Sequence, residues 1–138
     1  MLAAFDNSES ENSEPGRSLR PLLRAFNSES QDIEASAVIS SDGLSMAWVL
    51  GDEVDPDRFG AMCASLLALA NRAAQEISRG QLKQVLVEGD RGTMLLVYAG
   101  SDAVLAVASK PTANLGKIFI DARKAAAKIT EVLSKIKY

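Results

Sequence analysis

The chain is 138 residues long, 47% hydrophobic and 24% charged, with one cysteine and no histidine. That length fits one domain with a real core, and the apolar share is ordinary for a globular fold. No run of about 18 apolar residues occurs, so no membrane span is expected. The opening stretch, MLAAFDNSESENSEPG, has neither a basic start nor a long apolar segment and does not read as a secretory leader. The lone Cys63 allows no intrachain disulfide and no cysteine-rich metal site, and a reducing cytoplasm is the expected location. The net charge of −3 hides a division: residues 1–16 carry Asp6, Glu9, Glu11 and Glu14 with no Lys or Arg, so the remainder sums to +1. A nearly neutral body argues against nucleic acid as the partner, although a local basic stripe stays open.

Residues 1–16 lack an apolar period and read as a disordered acidic tail, leaving 17–138 as the folded domain. Leu19, Leu22, Leu23 and Phe26 recur at helical spacing behind a candidate Ser18 cap, with Pro21 in the first turn. Ala35 to Ser40 and Leu44 to Leu50 read as strands joined by Ser41-Asp42-Gly43. Asp55-Pro56 opens a long helix, Asp55 as cap and Pro56 at the first helical position, running to Arg79 before Gly80. Three apolar runs follow between Gln81 and Ala108. The turns Gly89-Asp90-Arg91-Gly92 and Gly100-Ser101-Asp102 make them an antiparallel meander. Asn114 then caps a last helix with the stripe Leu115, Ile118, Phe119, Ala122, Ala126, Ile129, Leu133 and Ile136. No internal repeat is seen.

Both parities of the meander are apolar: Met94, Leu96 and Tyr98 on one, Leu95, Val97 and Ala99 on the other. Such a sheet needs cover on both faces. In the long helix, Phe59, Met62, Cys63, Leu66, Leu67, Ala70, Ala74 and Ile77 form the face expected on the sheet. Gly60, Ala64 and Ala68, with Ala61 and Asn71 beside them, form a second face. Those small residues serve helix propensity on one reading. On the other, they admit a second helix across a two-fold axis. A strand near Leu82 to Glu88, if at a sheet edge, could pair with its twin. The expected self-contacts are therefore Gly60, Ala61, Ala64 and Ala68 on the helix and Leu82, Gln84 and Leu86 on the strand.

The S-D-G-L hairpin at Ser41 to Leu44, the helix-to-strand stretch CASLLALANRAAQEISRGQLKQVLVE at Cys63 to Glu88, the strand DAVLAVA at Asp102 to Ala108 and the N-L-G-K opening at Asn114 to Lys117 carry a resemblance. In their order and spacing, over roughly residues 18 to 135, the chain resembles a Roadblock/dynein-light-chain domain of the bacterial and archaeal type. The resemblance implies an α+β fold of profilin-like, Roadblock architecture, in the order α-β-β-α-β-β-β-α. It implies a five-stranded antiparallel sheet with a long helix on one face and the terminal helices on the other. It also implies a homodimer with a ten-stranded sheet, and binding to Ras-like small GTPases.

Catalytic patterns are missing. With no histidine the commonest base and metal ligand is gone. Leu115-Gly116-Lys117-Ile118 lacks the first glycine and the hydroxyl of a phosphate-binding loop. Cys63 has no activating neighbour and reads as a buried thiol. Asp55 and Asp57 suit a helix start better than a carboxylate pair, and with Glu53 they lack the rest of a calcium loop. Arg58, Arg72, Arg79 and Arg91 could each reach a partner's nucleotide, and nothing selects among them. The lysines of the last helix suit a solvated face or an acidic partner or membrane surface. The reading is a protein that is not an enzyme and needs no cofactor or metal. It is expected to pair with itself, bind a Ras-like GTPase and bias its nucleotide state, with Asn71, Arg72, Gln75 and Arg79 as contacts; an ordinary polar helix surface is the alternative for those four. A scaffold without a GTPase is a second reading. A small-molecule sensor using Tyr98 or Trp48 is a third.

Overall fold

A computed structural model describes residues 13–136. Most of the expected acidic tail lies outside the described residues. Its last four do not. The Ser13 hydroxyl accepts from the Gly16 N–H at 3.1 Å and caps helix α1, Glu14–Glu29. The helix thus starts upstream of the expected Ser18, because Ser13 is the better-placed acceptor and Pro15 suits the first turn. Pro21 consequently sits in the helix interior, on the exposed side, and takes away a donor to the Arg17 carbonyl. Burial of Leu19, Leu23 and Phe26 on the opposite face sustains the helix across that defect.

The remaining elements are β1 (Ile33–Ser40), β2 (Ser45–Val49), α2 (Pro56–Glu76), β3 (Gln84–Gly89), β4 (Gly92–Ala99), β5 (Ala103–Ser109) and α3 (Leu115–Ser134). The chain order is the expected one. All strand pairs are antiparallel, in the order β2-β1-β5-β4-β3. The two expected caps are in place: Asp55 Oδ1 accepts from the Asp57 and Arg58 N–H groups, and Asn114 Oδ1 from Lys117 N–H.

The sheet register lays apolar rows across all five strands. Trp48, Ala37, Ala106, Leu96 and Val85 share one face, where Cys63 and Leu67 of α2 close over them. Val49, Ser36, Val107, Leu95 and Leu86 form a row on the other face, beneath α1 and α3. The one polar member, Ser36, is buried and donates to Asn27 Oδ1 of α1. The two-faced sheet and the division of helices between its faces follow the sequence expectation.

Helix α2 stops earlier than expected. Ser78 takes a left-handed conformation (φ 61°), and its N–H bonds to the Gln75 carbonyl while Arg79 N–H bonds to that of Ala74. These two bonds satisfy the last carbonyls in the pattern usually built on glycine. Gly80, expected to stop the helix, lies two residues beyond. A Cβ in the left-handed region costs about 1 kcal/mol. Ser78→Gly should therefore raise stability by about 1 kcal/mol, read as a higher urea midpoint with unchanged slope.

Candidate partner-binding surface

Strand β3 is an edge: β4 pairs one side of it, and no strand of the described residues pairs the other. Edge strands are commonly blunted by charge or proline. Here the centre reads Val85-Leu86-Val87. Leu86 ends a row on the α1/α3 face at 42% exposure, and Val87 ends the row Ala35, Ala108, Met94 and Val87 on the α2 face at 40%. Helix α3 stops short of this edge; Arg123 reaches it, its Nη2 donating to Gln84 Oε1 at 3.1 Å. Full burial of such side chains is worth about 1.5–3 kcal/mol each, and the single chain leaves a good part of it unrealised.

The phase of α2 decides what each flank does. Cys63, Leu67, Ala70 and Ala74 turn to the sheet. Ala61, Ala64 and Ala68 then fall on one flank and Met62, Leu66 and Leu69 on the other. The first flank faces the chain's own turns. A Cβ on Gly43 would lie 3.2 Å from Ala61 Cα and 3.3 Å from Ala64 Cβ; one on Gly60 would lie 2.6 Å from the Gly43 carbonyl oxygen. Ala64 and Ala68 also line a cavity of about 150 Å³ with Tyr98 and Ser101. The small residues thus have an intrachain use: they bring the helix onto the β1–β2 turn. On the second flank Leu66 is half-buried against the same core, while Met62 and Leu69 stand more than 60% exposed. Met62 and Ile77, expected on the sheet face, are solvent-facing because the former lies on the far flank and the latter at the helix cap.

The four residues expected to touch a partner separate. Arg72 and Gln75 are exposed on α2. Asn71 is half-buried, its Oδ1 accepting the Leu82 N–H at 3.0 Å, so it ties the helix to the chain entering β3. Arg79 lies past the cap with Nε on the Ile77 carbonyl. Of the expected strand contacts, Leu82 is half-buried against the α2-side core, and Gln84 and Leu86 lie on the opposite face. The four candidate arginines do not converge either. Arg58 is in the first turn of α2, Arg72 and Arg79 are near its end, and Arg91 is in the β3–β4 turn. Met62, Leu69 and Val87 carry the exposed apolar surface that the residue-type reading missed. Their signal lies in helix phase and strand register.

Cys63 is 2% exposed, and burial pushes its thiol up to about 11. No group of three or more potential metal ligands occurs among the described residues. No helix among them is long and apolar enough to cross a membrane. Tyr98 and Trp48 do not frame a ligand chamber. The cavity beside Tyr98 is smaller than the roughly 300–1,000 Å³ usual for small-molecule sites, and Trp48 packs on the core under α2. A groove of about 840 Å³ lies elsewhere, between the start of α1, the end of α3 and the β1–β2 and β4–β5 turns.

The sequence profile of the Roadblock/LC7 domain matches residues 22–109, from α1 to the end of β5. The chain belongs to the Roadblock/LC7 family. An uncharacterized protein of Methanocaldococcus jannaschii is 39% identical over 101 residues, which are 73% of this chain and 88% of that one. Among solved structures, Myxococcus xanthus MglB superposes with a TM-score of 0.81 at 16% identity, covering 91% of this chain and 96% of that one. A Roadblock/LC7 domain from Streptomyces avermitilis superposes at 0.78 with 22% identity, covering 85% and 98%. The Roadblock fold is thereby confirmed, and the family is one of regulatory and adaptor domains.

Asn71→Ala should lower stability by about 1–2 kcal/mol, because it leaves the part-buried Leu82 N–H unpaired; urea unfolding measures the loss. The raised pKa of Cys63 favours the folded state while the thiol is protonated. That contribution is whole below about 9 and is lost as pH rises through about 11. Cys63→Ser should flatten the fall in stability over that window.

Proposed function

We propose that this Roadblock/LC7 domain is a non-catalytic homodimeric adaptor that binds a Ras-like small GTPase and biases its nucleotide state. The observation that carries the reading is the unpaired β3 edge, apolar on both faces. Antiparallel pairing of two β3 strands satisfies the open backbone groups and extends the sheet to ten strands. The two-fold axis then stands perpendicular to the sheet, so both α2 helices lie on the same side. Each α2 presents the flank of Met62 and Leu69 towards its twin, beside the open row ending at Val87. Leu82, Gln84 and Leu86 remain contacts in this reading. On the helix, Met62 and Leu69 take the place of the small-residue row.

The paired helices form one continuous surface, on which Arg72 and Gln75 are exposed side chains. A partner is regulated there by differential affinity for its two nucleotide states, which requires no catalytic group on this chain. The absence of histidine and the scattering of the four arginines favour that route over a donated arginine. A reducing cytoplasm is the location this role implies.

Leu86→Lys/Val87→Lys should halve the mass seen by light scattering while circular dichroism stays unchanged. Leu69→Glu should weaken the dimer and Ala68→Glu should spare it. A monomeric wild type, or a dimer indifferent to the β3 pair, sinks the arrangement. The GTPase reading is tested with a Ras-like GTPase from the same genome. Binding that depends on its nucleotide state, with altered exchange or hydrolysis, is the expected result; no binding in either state overturns it.

A further inference from the structure

The charge of this chain is segregated by element. Helices α1 and α3 lie side by side and antiparallel on one sheet face: Leu22, Ala25 and Glu29 of α1 line one small groove with Asp121, Lys124 and Lys128 of α3. With the adjoining Lys135 these two helices carry eight basic residues and four acidic ones, a net of +4. All other described residues together carry six basic and eleven acidic, a net of −5. The sequence alone had offered a solvated helix face as the simplest account of these lysines. The fold changes that account by adding exposed Arg17 and Arg24, with half-buried Arg20 between them, from a helix nearly a hundred residues away.

The acidic minority is mostly confined. Asp121 pairs with Lys117 at 2.8 Å and Glu131 with Lys135 at 3.3 Å. Glu29 lies at the same end of the groove as Asp121, and Glu14 is in the first turn of α1. Between these ends, Arg24, Lys124 and Lys128 are exposed. Beside them Ile120 stands 54% exposed, within one helical turn of Lys117, Arg123 and Lys124.

We propose that the outer face of α1 and α3 docks on the surface of an anionic lipid bilayer. Two features select lipid over other acidic partners. Lysine supplies four of the eight basic residues of the face, including exposed Lys124 and Lys128 in its middle, whereas protein interfaces are depleted of lysine. The aromatic residues of the two helices, Phe26 and Phe119, are buried and half-buried in the core, so bases have nothing to stack on. Exposed Ile120 supplies a modest apolar contact at the headgroup level, flanked by cations. The face belongs to the single chain and does not rest on the GTPase reading. In the dimer proposed above, the perpendicular two-fold axis turns both copies of it to the same side, away from the α2 helices. Two linked faces then engage one surface with the gain of bivalency.

The test is co-sedimentation of the full chain with phosphatidylcholine vesicles, with and without phosphatidylglycerol. The chain should sediment with the phosphatidylglycerol vesicles at low salt, release at high salt, and ignore pure phosphatidylcholine. Each cation near such a surface is worth about fivefold in partition, so Lys124→Glu/Lys128→Glu should cut binding roughly 25-fold or more. Both lysines are exposed, so circular dichroism and light scattering should show an unchanged fold and mass. The control Arg58→Glu, exposed at the start of α2 on the other side of the sheet, should bind as wild type does. Failure to bind phosphatidylglycerol vesicles at low salt overturns the proposal, and so does binding that survives the double reversal. Capture of an acidic protein without vesicle binding would assign the face to a protein and also overturn it.

Discussion

The structure depends on a sheet that is apolar on both faces. Each cross-strand row places a hydrophobic side chain on nearly every strand, so neither face can be left to water. Two helices on one side and one on the other are the minimum cover. The pair succeeds over the middle of its face, where Leu19, Leu23, Leu105, Leu95 and Ile129 are excluded from solvent. The single helix α2 crosses from the β2 edge to the chain entering β3 but covers only part of the strands' length. It crosses near the end bearing the β1–β2 and β4–β5 turns, and the row from Ala35 to Val87 is left partly open. The exposure of Val87 at the β3 edge follows from that shortage of cover, and that of Leu86 from the end of α3 cover on the other face.

The seat of α2 is set by a close approach of backbone to backbone. Gly60 lies against the Gly43 carbonyl, and the Ser45 hydroxyl donates to the Pro56 carbonyl at 2.7 Å. Asn71 holds the other end of the helix through the Leu82 N–H. With both ends pinned, the rotation of the helix about its own axis is settled. Met62 and Leu69 are thereby turned outward on the flank that overlooks the open row. A functional surface arises here as the remainder of a packing problem solved at two anchor points.

The charge pattern is a separate consequence of the same topology. Helices α1 and α3 come from opposite ends of the chain and meet only because both are needed on one face of the sheet. Their outward residues merge into a basic surface, while the acidic residues gather in turns and on the remaining elements. The α2 side and the α1/α3 side therefore present different chemistry to the surroundings, apolar and mixed on one, cationic on the other.

Much of the fold could be read without coordinates, because its signals are local. Strand parity, the turns at Gly43, Gly89 to Gly92 and Gly100, and the Asp55 and Asn114 caps each act within a few residues. The errors were local too: Ser13 rather than Ser18 opens α1, and Ser78 takes the left-handed position expected near Gly80, since in each case a competing residue met the backbone's need earlier. The candidate surface was less legible. Residue types suggested that Gly60, Ala61, Ala64 and Ala68 faced a twin and that Asn71 faced a partner, yet three of these small residues pack towards the chain's own Gly43 turn and Asn71 bonds to Leu82. The amino-acid sequence by itself determined which segments form helices and strands and that both sheet faces must be covered, since short-range geometry and hydrophobic period suffice for that. Only the tertiary structure decided which flank of α2 is left bare, that β3 ends the sheet, and that two distant helices pool their charge. Those outcomes depend on contacts between residues far apart in the chain, and no local pattern encodes them.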